Sequence, residues 1–549
     1  MRRLPPSDRA IASLLALVVA ISSLAALVAL ERTILVQVPA RGGSLTEGIV
    51  GAPRFVNPLL ALTDADRDLA TLTYAGLMGE GVDGLRPVLA ESYTVSPDGK
   101  VYTFTLKPNL RFTDGTPITA SDVVFTVEKA QDSALKSPRY ADFAGIRVEA
   151  VDARTVRFTL AKAYAPFLAN TTLGILPMHI WKNVSDAQFP FDPHMANPVG
   201  AGPFRVVRIV RDRMGNVTEY DLGANGTYAI GRPYLDEIDF KLYGSTEEVA
   251  AAYKNGAIDS AYGIPTPGAH TAPYSRVFGV FFNQSANPAL KQLAVRKALS
   301  IAIDRETLTQ NMLGGYASPI TGPAPSGSGI TGPAFPAAAD RIAAAKKVLT
   351  DGGWTMSSST GVWTNAKLKL TLPGLTITTS NVPELKSLAD QVQADWQALG
   401  VPTSLTFDDP NALITTAIRP RSYETLYFGM VIGRDEDLFP FWDSSESKDP
   451  GLNITGYSNK SVDTLLEKAR TETDPSLRMQ DLQKASDQIA SDYPAAFTHS
   501  PDFVYALPKE LEGVSLPQIT TPSDRFASVA TWHVKSEWVW PFFAKDQIR

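Results

Sequence analysis

No cysteine occurs anywhere in the 549 residues. That excludes disulfides, thiolate zinc sites, iron–sulfur clusters, a cysteine nucleophile and a lipid-modified cysteine anchor. Histidine is nearly as scarce. His179, His194, His270, His499 and His533 are scattered, with no HExxH pair to hold a metal. Neither sign of charge dominates: 51 Lys plus Arg against 57 Asp plus Glu give a net charge of −6 and no basic footprint for nucleic acid. Nucleotide loops are missing as well, with neither GxxxxGK[ST] nor GxGxxG opening a helix after a strand. A GxSxG elbow is absent; Ser326 and Ser328 lie in a Gly/Pro loop with the wrong flanks. Asp64, Asp66 and Asp68, and again Asp435, Asp437 and Glu446, imitate calcium loops, but Leu69 and Pro440 stand where the turn glycine belongs. The first run reads as the solvated first turn of a helix. No metal, cofactor or catalytic role is expected.

Long apolar runs are also missing, with one exception. Ala10 to Leu30 carries no charge and follows Arg2, Arg3 and Arg9. At ~1.5 Å per residue it covers roughly 31 Å, enough for a hydrocarbon core of about 30 Å. The arginines place the tail in the cytoplasm and the rest of the chain outside. Ser23-Leu24-Ala25 offers a competing signal-peptide cleavage site, yet the apolar run continues past it. The expectation is an uncut, single-pass anchor (10–30), then a short extended stalk ending at Gly42-Gly43.

From Ser44 onward, strand and helix patterns interleave. Lys100–Lys107 alternates after a Pro97-Asp98-Gly99 turn, and Arg147–Leu160 bends at Asp152-Ala153-Arg154; both predict hairpins. Thr119 to Asp122 predicts a capped helix over Val123–Ala130. Further on, helices are expected over Leu290–Gly314, Ala337–Leu349 and Val382–Leu399, the last ending at Gly400 before a strand, Pro402–Phe407. Ser461 and Asp474-Pro475 predict an αα-hairpin, Val462–Arg470 and Ser476–Ala490. Ser318–Pro336 is a Gly/Pro-rich stretch expected to wrap a surface. The aromatic tail Phe526–Phe543 reads as a packed terminal strand and helix, with a membrane-surface contact as the alternative. This alternation over about 500 residues points to α/β layers.

Several of these segments together resemble the signature of oligopeptide/dipeptide-type (family 5) extracellular solute-binding proteins of ABC importers. They run in family order: Asn57-Pro58, Leu89–Tyr93, Ser96–Gly99, Tyr102–Leu106, Phe112–Val123, Asn197–Phe204, Tyr253–Asp259, Val295–Arg305 and Gly456–Asp463. The resemblance implies an α/β, two-lobed periplasmic-binding-protein-like fold, with an extra domain inserted in the first lobe and a hinge of two crossover strands. On that pattern the first lobe is 44–276 plus 500–549, its inserted domain about 66–196, and the second lobe 277–499. The crossovers fall near Val277–Asn283 and Ala496–Tyr505.

The resemblance further implies a substrate-binding component, not an enzyme, that captures a peptide or similar small solute and delivers it to a membrane permease and its ATPase. A monomer without cofactor is expected. A ligand-binding sensor or chaperone on the same fold is the alternative, with an extracellular hydrolase behind it. Ligand contacts are expected from Pro53, Arg54 and Phe55 and from a facing segment with Phe428, Gly429, Met430, Ile432 and Arg434, running on to Trp442. Peptide-binding members hold the amino terminus with an aspartate three residues before an acidic-Pro pair. With Asp435-Glu436 in that place, the aspartate position holds Ile432, which implies selectivity for neutral or anionic ends.

Overall fold

The computed structural model describes residues 5–81, 84–334 and 340–544. Its inner architecture follows from strand alternation and helix caps. In Val101–Leu106, Tyr102, Phe104 and Leu106 point inward while the residues between them are half-buried. This strand pairs Ala90–Val95 across the Pro97-Asp98-Gly99 turn and Thr155–Thr159 on its other side, with Arg147–Ala150 at the edge. The helix Ala120–Ala130 begins at Thr119, whose hydroxyl and the Asp122 carboxylate form a capping box. One apolar cluster, from Leu59 to Ala201, joins this sheet and helix into a separate layer.

A second sheet has the order Ser44–Val50, Glu237–Tyr243, Val217–Ala224, Phe204–Arg211. Its core includes Leu45, Leu69, Tyr220 and Phe240, but also Phe503, Tyr505, Phe526 and Trp532 from the far end of the chain. The largest sheet runs Ala261–Tyr262, Ala495–Ala506, Arg276–Phe282, Thr425–Val431, Leu375–Ser380, Thr403–Asp408. Helices Leu293–Ala302, Arg341–Asp351 and Pro383–Leu399 contribute to one apolar cluster and the αα-hairpin Lys460–Thr471 and Pro475–Asp492 to another. Both faces of this sheet are therefore buried, as an α/β layer requires.

The strand Ala495–Ala506 belongs to two cores. Ala495 to Phe497 pack in the second-lobe clusters, whereas Phe503 and Tyr505 pack with the first sheet. Likewise Ala272 packs with the first sheet and Val277 with the second. The chain therefore passes between cores at 273–276 and 498–502; the first crossing lies just before the segment expected from sequence. Near the second, His499 is buried and stacks on Phe278, with ring centroids 4.8 Å apart. Burial lowers its imidazole to about 4, so it is neutral at pH 7.

Three sequence expectations need correction. The stretch Leu290–Gly314 is not one helix: the α-helix ends at Ala302, and a wider turn follows over Thr307–Met312. Asp304 separates the two by accepting the Thr307 N–H at 3.0 Å. Asn459, not Ser461, caps the first helix of the αα-hairpin. Of the three acids after Thr63, only Asp64 is solvated, with its side chain 42% exposed. Asp66 is buried and accepts the backbone N–H groups of Arg54, Phe55, Leu62 and Thr63. Asp68 is fully buried against Arg525, whose Nη1 and Nη2 donate to its two oxygens at 2.8 and 2.7 Å, while Arg525 Nε donates to Glu47 at 2.8 Å. Burial outweighs the pull of Arg525 and pushes Asp68 up to about 6.

The amino terminus is a helix, Pro6–Ile34, whose apolar stretch Ser7–Ala26 is uncovered by protein. The expected stalk is extended and is also paired to the body. Val36–Ala40 is a strand paired antiparallel with Lys535–Val539, and Val38 is buried. Cutting after Ile34 should therefore release a folded soluble protein. Cutting after Gly43 should lower its melting temperature by several degrees, because a buried valine (about 1.5–3 kcal/mol) and a five-pair ladder are lost. Parallel thermal melts of the two truncations test this; equal melting temperatures would refute it.

Candidate functional site

A cavity of about 430 Å³ opens where three parts of the fold meet. One wall is the inserted layer, with Tyr74 and Glu80; a second is the C-terminal turn, with Thr521 and Asp524. The third is a tip of the second lobe, Gly433-Arg434-Asp435, just past the strand Thr425–Val431.

Arg434 crosses the gap. Its Nη1 donates to Glu80 and its Nη2 forms an ion pair with Asp524. Asp524 is held rigidly, since its carboxylate also accepts the N–H groups of Thr520 and Thr521 at 2.7 and 2.8 Å. Burial raises the Glu80 carboxyl above its ordinary value, against the pull of Arg434. A second crossing lies nearby. Arg470 is held to Asp437 at 2.7 Å, its guanidinium lies over Phe439, and its carbonyl accepts the N–H of Ala165 from the inserted layer at 2.8 Å.

Four carboxylates line the cavity, and three are matched by arginine: Glu80 and Asp524 by Arg434, and Asp142 by Arg139 at 3.0 Å. Among the described residues no ion pair within 4.0 Å includes the fourth, Asp435. Burial and the neighbouring Asp437 raise its carboxyl. Glu436 beside it has a left-handed backbone (φ 55°) and is pushed up by burial to about 7. Because its folded value is raised, its contribution to stability is full below about 4.5 and is lost as pH rises through about 7. Glu436→Gln should therefore stabilise the protein by roughly 1–3 kcal/mol at pH 8 and by little at pH 4.5. Denaturant midpoints at the two pH values measure this; an effect independent of pH would contradict it.

These observations gain context from known proteins. Residues 84–450 match the family model described as bacterial extracellular solute-binding proteins, family 5 Middle. The chain belongs to this family. Oligopeptide-binding protein AppA of Bacillus subtilis (strain 168) is 27% identical over 500 residues, 86% of this chain and 89% of that protein. The probable D,D-dipeptide-binding periplasmic protein DdpA of Escherichia coli (strain K12) is 26% identical, over 85% of this chain and 90% of its own. The crystal structure of the ABC transporter substrate binding protein CtaP from Listeria monocytogenes superposes with a TM-score of 0.74 at 28% identity, covering 90% of this chain and 99% of that one. This family-5 protein is thus a two-lobed substrate-binding component of an ABC import system, working outside the cytoplasm. Its family consists of solute-binding proteins rather than enzymes.

The structure distributes the expected ligand residues of the family-5 protein unevenly. Arg434 reaches the cavity. Met430, Ile432 and Trp442 instead lie in the apolar core of the second lobe, where Trp442 meets Phe497 with ring centroids 5.6 Å apart. Phe428 is half-buried against the same core. Gly429 serves packing: a Cβ there would come within 2.6 Å of the Phe278 ring. Phe55 packs on the inserted layer with Arg54 over its ring, and neither these nor Pro53 is part of the cavity wall. A preference for anionic ends inferred from Ile432 has no footing, because that side chain faces the core. The sequence reading missed Glu80, Asp524 and Asp435 as cavity groups. Glu80 sits on a four-residue strand with no periodic signal, and Asp524 looks like any helix-capping acid.

Proposed function

We propose that the cavity around Arg434 captures a peptide or similar small solute, which closure of the two lobes buries before delivery to a permease and its ATPase. The observation that carries this reading is Arg434 itself: a side chain of the second lobe held by carboxylates from the inserted layer and the C-terminal turn. A solute in that gap would touch both lobes at once. Asp435 gives the gap an acidic wall group with no ion pair within 4.0 Å among the described residues. Arg478 donates to its backbone carbonyl and its charge pulls on the carboxyl. Such a group suits an ammonium of the solute. On this reading the lobes are 44–272 with 503–532, and 277–497, and the cavity is complete within one chain, so a monomer suffices.

The helix Pro6–Ile34 stays attached as a single-pass anchor with its amino terminus in the cytoplasm. Supporting this, the helix continues eight residues past the apolar stretch ending at Ala26, with no polar break at a cleavage site. Mass spectrometry of solute co-purifying with residues 35–549, followed by calorimetry with short peptides blocked at either end, tests the capture reading. A requirement for a free amino terminus, lost in Asp435→Asn, is the expected result. Equal affinity for amino-blocked peptides would overturn the assignment of Asp435, and failure to bind any co-purified solute would overturn the site.

A further inference from the structure

We infer that Trp538 and Trp540 form a membrane-seating surface, lying in the lipid headgroup layer beside the anchor helix and fixing how the binding lobes stand on the bilayer. This rests on the reading of Pro6–Ile34 as an uncut anchor. Three observations converge on it.

The first is chain length. Only Leu35 separates the helix from the strand Val36–Ala40. From Leu30, the last residue of the apolar run, to Val36 is six residues, about 9 Å at helical rise. Headgroup layers add roughly 5–7 Å to each side of the hydrocarbon core, so Val36 lies at the membrane surface whatever the tilt of the helix.

The second is register. The terminal strand pairs Val36 with Val539, Gln37 with Trp538 and Ala40 with Lys535. Antiparallel pairing thus brings its aromatic end back to the membrane-proximal end of the stalk, and puts Lys535 at the distal end. Val38 is buried against the body, so by alternation Gln37 and Trp538 face away from it.

The third is exposure. Six of the eight tryptophans are buried in cores, whereas Trp538 is 57% and Trp540 43% exposed. Two adjacent solvent-facing indoles are costly in water and favoured at a headgroup boundary, where the ring meets acyl carbon and the N–H stays hydrated. A permease subunit or a second copy could also cover indoles, but the register puts Trp538 at the membrane-proximal end of the ladder, where the bilayer is the surface at hand without any partner.

The lack of cysteine makes a clean test possible. Full-length Gln37→Cys, labelled with an environment-sensitive fluorophore, is reconstituted into phosphatidylcholine–phosphatidylglycerol vesicles without permease. Met214→Cys, on the exposed turn between Phe204–Arg211 and Val217–Ala224, is the control. The expected result is co-flotation with vesicles, a blue-shifted label at position 37 and about twofold or greater quenching by shallow spin-labelled lipid, with none at position 214. Adding Trp538→Ser and Trp540→Ser should cut the shift and quenching about twofold or more, the anchor alone still holding position 37 near the surface. The melting temperature of the lobes should be unchanged, which shows that they are folded. Flotation without quenching at position 37, or quenching undiminished by loss of both indoles, overturns the surface and leaves the anchor standing. Failure to float overturns both.

Discussion

Replacing Arg434 with methionine should open the unliganded protein and weaken solute capture by about tenfold or more, equivalent to ~1.4 kcal/mol. The variant leaves Glu80 and Asp524, with side chains 14% and 6% exposed, facing each other without a cation. These two partly buried carboxylates, both on the first lobe, then repel each other, and the second lobe loses its charged attachment to them. Small-angle scattering should record a larger radius of gyration, and calorimetry a weaker Kd. Glu80→Gln added to the same variant should recover thermal stability, because one of the repelling charges is gone, but not the lost attachment between the lobes. Unchanged scattering in Arg434→Met would show that the ion pair does not hold the lobes together.

The second large effect is expected at Arg525. This side chain, Glu47 and Asp68 are all fully buried, and the Tyr505 hydroxyl adds a donor to Glu47. Arg525→Met strands two carboxylates in the core of the first lobe, which costs about 3–5 kcal/mol. The pH dependence separates this from simple loss of packing. Asp68 is already raised to about 6 in the native protein, and losing the guanidinium raises it further. A raised folded value means that stability is retained at low pH and lost as pH rises through that value. The deficit of Arg525→Met should therefore be larger at pH 8 than at pH 5 in denaturant titrations, whereas a packing defect would be equal at both.

Features set by nearby residues were legible in the sequence. The capping box at Thr119 and Asp122, the turn at Gly99, and the end of Pro383–Leu399 at Gly400 with φ 91° each depend on neighbours a few positions away. Features set by distant partners were not. Asp68 looked like a solvated helix-dipole residue because its partner, Arg525, is 457 positions away. Ile432 and Trp442 lie in one segment with Arg434, yet two face the core and one the cavity. Past the end of a strand the alternation that assigns faces stops, and Glu436 with its left-handed backbone turns the chain there. The acidic half of the cavity is assembled from residues some 440 positions apart, Glu80 and Asp524, neither with a local signal.

That separation bears on how the molecule is made. The lobe that begins to emerge first, at Ser44, has Phe503, Phe526 and Trp532 in its core and Tyr505 and Arg525 in its buried polar cluster. It cannot close until almost the whole chain has been exported, whereas the second lobe needs little beyond Phe497. Maturation thus runs against the order of synthesis. Nascent chains lacking the last 30 residues should hold a formed second lobe and an open first one, and contacts so far apart in sequence are slow to form. During that interval the first-lobe sheet, Ser44–Val50 with Phe204–Tyr243, is the part most exposed to proteases and most in need of a holdase, whereas the inserted layer has its whole core within residues 59–201.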